Sequence, residues 1–226
     1  MKTAIVFGAT SGIGKEISEL LLKDGYNVAI TGRRLKKLEA LKKQYSNQVY
    51  VAQNDIQKVD EVENVFNEII KEFTTIDLII QSSGVGHINP TLAWDKEEET
   101  IFTNVVGVTK LYDLSFNLFR KQGFGHLVGI TSIASIRGNR GAPAYFSSKA
   151  YQKAYLESLY MKTKTIKSNK VFITDIRPGF VDTAMALGEG IFWMVSLEKA
   201  AKQIYTAIKK KKRVAYISKR WRLIAF

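Results

Sequence analysis

Cysteine is absent from the 226 residues, which excludes disulfide bonds and thiolate metal sites and leads us to expect a reducing, cytoplasmic setting. Histidine is nearly as scarce. His87 and His126 are the only two and stand far apart in the chain, so no zinc site, and no metal site of any kind, is expected. No apolar run reaches the roughly 18 residues of a membrane-spanning helix, and Met1 leads straight into a strand-like run with no sign of a secretory leader. Acidic residues are in deficit, with 21 Asp and Glu against 34 Lys and Arg and a formal charge of +13. Such a surplus suits nucleic acid, an anionic membrane or a phosphorylated ligand, and its position in the chain decides among them. The chain carries no nucleic-acid recognition module or stacking-aromatic motif, so no nucleic-acid partner is expected.

With 46% hydrophobic residues the chain can form one domain with a substantial core, expected over residues 1–226. The run TAIVF at residues 3–7 reads as a strand, GATSGIG as a glycine turn, and Ile13, Ile17, Leu20 and Leu21 as one face of a helix. Gly8, Gly12 and Gly14 permit a tight turn, close approach to a phosphate and close helix packing. Thr10, Ser11 and Ile13 lie in the same loop, and the helix start offers free N–H groups to a pyrophosphate. A second strand, NVAIT at residues 27–31, ends in Gly32, Arg33 and Arg34. In dinucleotide folds an acidic residue at this place bonds the ribose 2′-hydroxyl of NAD. Glycine followed by two guanidiniums favours a 2′-phosphate instead, so NADP(H) is the expected cofactor over NAD(H).

Strand-like and helix-like segments go on alternating along the chain, which predicts an α/β fold: a Rossmann-like, doubly wound parallel sheet of about seven strands with ligands at the carboxyl ends of the strands. After an apolar run at residues 127–130 come Ser132 and then Tyr145 and Lys149, a tyrosine and a lysine four residues apart on one helical face. A lysine charge about 4.5 Å from a phenol, at an effective dielectric of about 20, supplies roughly 3.5 kcal/mol. That is enough to bring a phenol of pKa about 10 toward neutral pH.

Gly-x3-Gly-x-Gly at residues 8–14, Ser132, Tyr145-x3-Lys149 and the Pro178-Gly179 turn, in this order, resemble the short-chain dehydrogenase/reductase family over about residues 1–217. The resemblance implies sheet order 3-2-1-4-5-6-7 and catalytic roles for Asn104, Ser132, Tyr145 and Lys149, with Asn104 holding a water that relays protons to the lysine. It also implies cofactor contacts from Asp55 and Ile56 beside the adenine, from Ser83 and Gly84, from Asn104, Tyr145 and Lys149, and from Pro178, Gly179, Val181 and Thr183 beside the nicotinamide. Relatives carry threonine where Phe7 stands and Asn-Asn-Ala-Gly where residues 81–84 read QSSG; the Gln81 amide and the serine hydroxyls are expected to brace the strand ends in their place.

The activity implied is reversible reduction of a ketone or aldehyde to an alcohol, with a small-molecule substrate and a homodimer or homotetramer built through the helices that include Asn104 and Tyr145. A non-catalytic NADP-binding regulator on the same fold is the alternative, although none of the catalytic residues is missing. Ala150 and Ala154 are expected to face the sheet, and Tyr151, Tyr155 and Leu159 to form a second stripe with no partner in the fold. The segment from Ala184 to Ser196, with Met185, Phe192, Trp193 and Met194, reads either as an apolar substrate cover or as core packing. The surplus charge gathers at residues 209–213 and in KRWRLIAF at the end of the chain. In that basic, apolar tail (218–226), Trp221, Leu223, Ile224 and Phe226 could enter a headgroup boundary while Lys219, Arg220 and Arg222 meet anionic lipid, a weak peripheral membrane contact. Alternatively the aromatics fold back on the core.

Overall fold

The computed structural model describes residues 1–168, 170–185 and 192–223, apart from the side chain of Ser46. Strands β1 (Thr3–Phe7), β2 (Asn27–Gly32), β3 (Val49–Gln53), β4 (Leu78–Gln81), β5 (Phe124–Ile130), β6 (Lys170–Pro178) and β7 (Val214–Ile217) form a parallel sheet in the order β3-β2-β1-β4-β5-β6-β7. Between them run helices α1 (Gly12–Lys23), α2 (Leu35–Tyr45), α3 (Val59–Glu72), α4 (Trp94–Ile101), α5 (Val108–Gln122), α6 (Pro143–Thr163) and α7 (Leu197–Lys209). Strands covered on both faces read as continuous apolar runs, as β1 does, since side chains alternate and each face needs its own core. Ala4 and Val6 join the core under α1, α2 and α7, while Ile5 and Phe7 join the one under α3, α5 and α6. Among the described residues no helix is long and apolar enough to cross a membrane.

Between α4 and α5 the backbone widens into a π-helical stretch, Phe102–Gly107, where the sequence pattern predicts uninterrupted α-helix from about residue 101. Such widenings often sit at functional positions, and this one holds Asn104, which is fully buried. A Cβ on Gly107 would lie 2.0 Å from the Ile56 carbonyl oxygen, so this glycine lets the widened helix press against the loop after β3.

Helix α6 sits differently from expectation. Its buried line runs Lys149, Gln152, Leu156, Leu159 and Thr163, while Ala150 and Ala154 face outward. The aromatic stripe does have partners: Tyr155 stacks on Tyr112 with centroids 5.9 Å apart, and the Tyr151 hydroxyl pairs with Thr109 Oγ1 at 2.8 Å. Two small residues four apart mimic a close-packing face, but the longer side chains at 152, 156 and 159 supply more buried area and set the rotation of the helix.

The end of the chain also departs from the membrane reading. Trp221 lies in a one-turn helix at Lys219–Leu223 and is 4% exposed. Its ring packs against Phe180, Phe192 and Trp193 at 5.7, 5.0 and 5.5 Å. Of the residues assigned to a headgroup boundary, Trp221 is therefore withdrawn into the protein and Leu223 is exposed, while Ile224 and Phe226 lie outside the described residues. The basic run is partly engaged within the fold: Lys209 pairs with Asp24 at 3.2 Å and Arg213 with Glu157 at 2.9 Å.

Candidate active site and nucleotide crevice

Where β1 gives way to α1, the glycines do what their spacing suggests. Gly8 has φ +86°, and a Cβ there would sit 2.6 Å from Ser83 N. A Cβ on Gly14 would lie 2.3 Å from the Gly8 carbonyl oxygen. The first turn of α1 has no acidic residue, and Ser11 at its N-cap makes no side-chain capping bond. The N–H groups beside Gly12 and Ile13 therefore keep the partial positive charge of a helix start, which fits a pyrophosphate. Gly12 lies close to Thr183 across the crevice, since a Cβ on it would be 3.7 Å from Thr183 Cγ2.

Instead of capping α1, Ser11 and its neighbour hold an arginine. Arg34 donates to Ser11 Oγ at 2.7 Å and to Thr10 Oγ1 at 2.5 and 3.2 Å. Gly32 faces Thr10 so closely that a Cβ would be 2.6 Å from Thr10 Cγ2, so this corner has no room for the usual carboxylate unless Thr10 moves. Arg33 turns the other way, 3.7 Å from Glu99 of α4, whose second oxygen meets His87 Nε2 at 2.8 Å. A guanidinium fixed beside two hydroxyls fits a 2′-phosphate by charge and by donor geometry.

Asp55 is half-buried after β3 and accepts the Gln57 N–H at 3.2 Å, and Ile56 is buried beside it. The expectation for Gln81 does not hold: its amide is buried, and among the described residues neither of its atoms has a hydrogen-bond partner. Its register neighbour on β1 is Phe7, which offers a ring where a hydroxyl would have answered. Ser82 lies beside the glycine turn, its Oγ 3.2 Å from where a Gly14 Cβ would be, and its backbone N–H donates to the Phe7 carbonyl at 2.9 Å.

On the far side, Gly179 leaves the space that the Trp221 ring fills, for a Cβ there would be 1.9 Å from Trp221 Nε1. Pro178 is buried at the end of β6, and Val181 forms an isolated parallel bridge with Val195. Of the apolar cover, Met185, Phe192, Trp193 and Met194 are 48, 49, 36 and 46% exposed, so they are not core; residues 186–191 lie outside the described residues.

Ser132, Tyr145, Lys149 and Asn104 come together where β5 ends against α6 and the π-helical stretch. Ser132 caps a short 3-10 turn, its Oγ accepting from the Ala134 N–H at 3.0 Å. Lys149, 4% exposed, donates to the Ile130 carbonyl at 3.1 Å and to Gln152 Oε1 at 3.0 Å. Burial pushes its ammonium down to about 8, partly opposed by the charge of Asp175. The Tyr145 phenol is raised, the reverse of the expectation from sequence: burial dominates and proximity to Ser132 offsets only part of it. The lysine nitrogen sits 5.9 Å from the centre of the tyrosine ring, with its donors turned toward Ile130 and Gln152.

Asn104 spends its side chain on structure, accepting from Val85 N at 2.9 Å and donating to Val85 O at 2.7 Å and Ser148 Oγ at 3.0 Å. Those bonds fix the loop after β4. A Cβ on Gly84 in that loop would lie 3.3 Å from Asn104 Oδ1 and 3.5 Å from Lys149 Nζ, and one on Gly86 would lie 2.7 Å from the Tyr145 ring. Gly86 and Gln152 are contributors that the sequence alone does not expose. Three positions after Lys149, on the same helical face, was the available signal for Gln152. Among the described residues no three His, Asp or Glu side chains gather as a metal site would require.

The profile described as short chain dehydrogenase matches residues 2–189. An uncharacterized oxidoreductase of Myxococcus xanthus is 32% identical over 189 residues, covering 81% of this chain and 74% of that relative. Carbonyl reductase family member 4 of Xenopus tropicalis is 29% identical over 189 residues, 83% of this chain and 78% of its own. The crystal structure of an alcohol dehydrogenase from Thermococcus sibiricus, complexed with 5-hydroxy-NADP, superposes with a TM-score of 0.79 at 25% identity, covering 96% of this chain and 94% of that one.

Proposed function

We propose, from the premise that this chain belongs to the short chain dehydrogenase family and is an oxidoreductase with a nicotinamide cofactor, that it interconverts a carbonyl compound and an alcohol on one catalytic domain and prefers NADP(H) over NAD(H). The observation that carries this reading is the meeting of two features at Gly84. The glycine-lined crevice reaches it through Gly8 and Ser83, and Lys149 and Asn104 close on it from the other side. When bound, the cofactor supplies a hydride to the carbonyl carbon or accepts one from the alcohol.

The chain's own part is binding and proton handling. The start of α1 holds the pyrophosphate, with Gly8, Gly12 and Gly14 admitting it; Arg34, braced by Thr10 and Ser11, holds the 2′-phosphate, and Arg33, turned toward Glu99, adds positive charge at longer range. Asp55 and Ile56 border the adenine, and Ser83, Gly84, Pro178, Gly179, Val181 and Thr183 line the nicotinamide end. A phenol raised by burial remains an O–H at neutral pH, which suits Tyr145 as the proton donor in reduction. Ser132 orients the substrate oxygen, and the Lys149 ammonium stabilises the phenolate left when the proton has gone. The half-exposed Met185, Phe192, Trp193 and Met194 favour an apolar substrate.

NADPH consumption against a panel of apolar ketones, aldehydes and 3-oxoacyl compounds tests the assignment. Turnover of at least one class with NADPH is expected. Tight NADPH binding with no turnover across the panel would favour a cofactor-binding regulator instead. The outward Phe102, Val106, Ala150 and Tyr151 on the neighbouring π-helical stretch and α6 support a homodimer or homotetramer. Light scattering is expected to give at least twice the 25.5 kDa chain mass, and a monomer at micromolar concentration would refute it.

A further inference from the structure

A polar residue on a helix is ordinarily read as solvent-facing, yet Gln152 is 1% exposed and both ends of its amide are engaged. Nε2 donates to the backbone carbonyl of Asn104 at 2.7 Å, and Oε1 accepts from Lys149 Nζ at 3.0 Å. The side chain thus spans the interval between the Asn104 carbonyl and the lysine, where the sequence resemblance implies a relaying water. An amide held by its own helix costs no ordering of a mobile molecule and offers the ammonium a fixed acceptor.

From this contact we propose that Gln152 is a positioning residue for the carbonyl–alcohol reaction, tying the Lys149 ammonium to the π-helical stretch and fixing where its remaining donor points. The proposal rests on the reading of Lys149 as part of the proton-handling set. An ammonium has three donors. Ile130 and Gln152 take two, leaving one for the crevice; a hydrogen bond accepted from the ammonium favours its charged form, while burial disfavours it. The other titratable groups facing this ammonium are Asp175 on β6, itself bonded to Arg177 at 2.6 Å, and the Tyr145 phenol on α6. Neither bonds the ammonium directly, and among the described residues Gln152 is the side chain that does.

The test follows Lys149 itself, by NMR of the full chain carrying 13Cε-labelled lysine, with the signal assigned by its loss in Lys149→Arg. In Gln152→Met the ammonium loses one charge-assisted bond and is expected to titrate about one to two pH units lower. In Gln152→Glu, nearly isosteric, a carboxylate replaces the amide oxygen and the titration is expected to move upward. The alkaline limb of the reduction rate should follow each shift in the same direction. Should the methionine variant not fold, the glutamate variant alone decides. A Lys149 titration within about 0.3 pH unit of the unaltered chain in a folded variant, with no opposite response between the two where both fold, would overturn the proposal. The titration does not depend on turnover. Shifts as expected in a protein that reduces no carbonyl compound would leave the contact standing and remove the reaction.

Discussion

Tyr145→Phe is expected to bind NADPH within about twofold of the unaltered chain and to lose carbonyl reduction by roughly 10²- to 10⁴-fold, the range associated with a positioned general acid. The substitution deletes one oxygen and keeps the ring. The ring rests on Gly86, where a Cβ would approach to 2.7 Å, and stands edge-on to Phe146 at 5.9 Å, so packing should survive. What is lost is the only O–H among the four gathered residues, apart from Ser132, that can reach a substrate oxygen with a proton to give. Ser132→Ala should cost less, because it removes an orienting bond and not the donor. Single-turnover rates with saturating NADPH separate binding from chemistry. A Phe variant retaining more than about a tenth of the rate would mean that another group, or water, supplies the proton.

Arg34→Ala is expected to weaken NADPH by about tenfold or more while leaving NADH nearly unchanged. A charge-assisted bond to phosphate is worth roughly 1.5 to 3 kcal/mol, and the exposure of Arg34 places this one toward the lower end. Arg33→Ala is expected to narrow the preference by less, as its guanidinium is shared with Glu99. Gly32→Asp, which would supply the carboxylate used for a ribose hydroxyl, must first displace Thr10 and through it Arg34. That change alone should lower NADPH affinity without creating a good NADH site. Calorimetry with both cofactors at one salt concentration checks these outcomes; equal losses for NADPH and NADH in Arg34→Ala would assign the arginine to the loop's stability instead.

Features that depend on backbone constraint were the most legible. Gly8 and Gly14 are spaced as they are because any side chain would strike Ser83 or Gly8 itself, and a requirement that strict shows in the sequence directly. Strand order was available only through the family resemblance, and β1 and β2 appear within one residue of their apolar runs, whereas β5 begins three residues before its run at 127–130. What could not be read was set by tertiary competition. The π-helical widening at Asn104 leaves no periodic trace. The rotation of α6 was decided by Gln152 and Leu156 against two alanines that looked like a packing face. Trp221 reads as a candidate for a lipid surface until Gly179 is seen to make room for it. The raised Tyr145 phenol came from burial, a quantity that the spacing of Tyr145 and Lys149 does not contain. Gln81 was assigned a bracing role on residue type, without the register that sets it against Phe7.

Transfer of deuterium from NADPH carrying deuterium at both C4 positions to the product alcohol measures the central claim directly, using whichever carbonyl compound of the panel turns over fastest. The account expects one deuterium on the carbinol carbon per NADPH consumed in the unaltered chain, and its near-complete loss in Tyr145→Phe with the cofactor still bound. NADPH consumed with no deuterium on that carbon, or label transferred equally well by Tyr145→Phe, would contradict it.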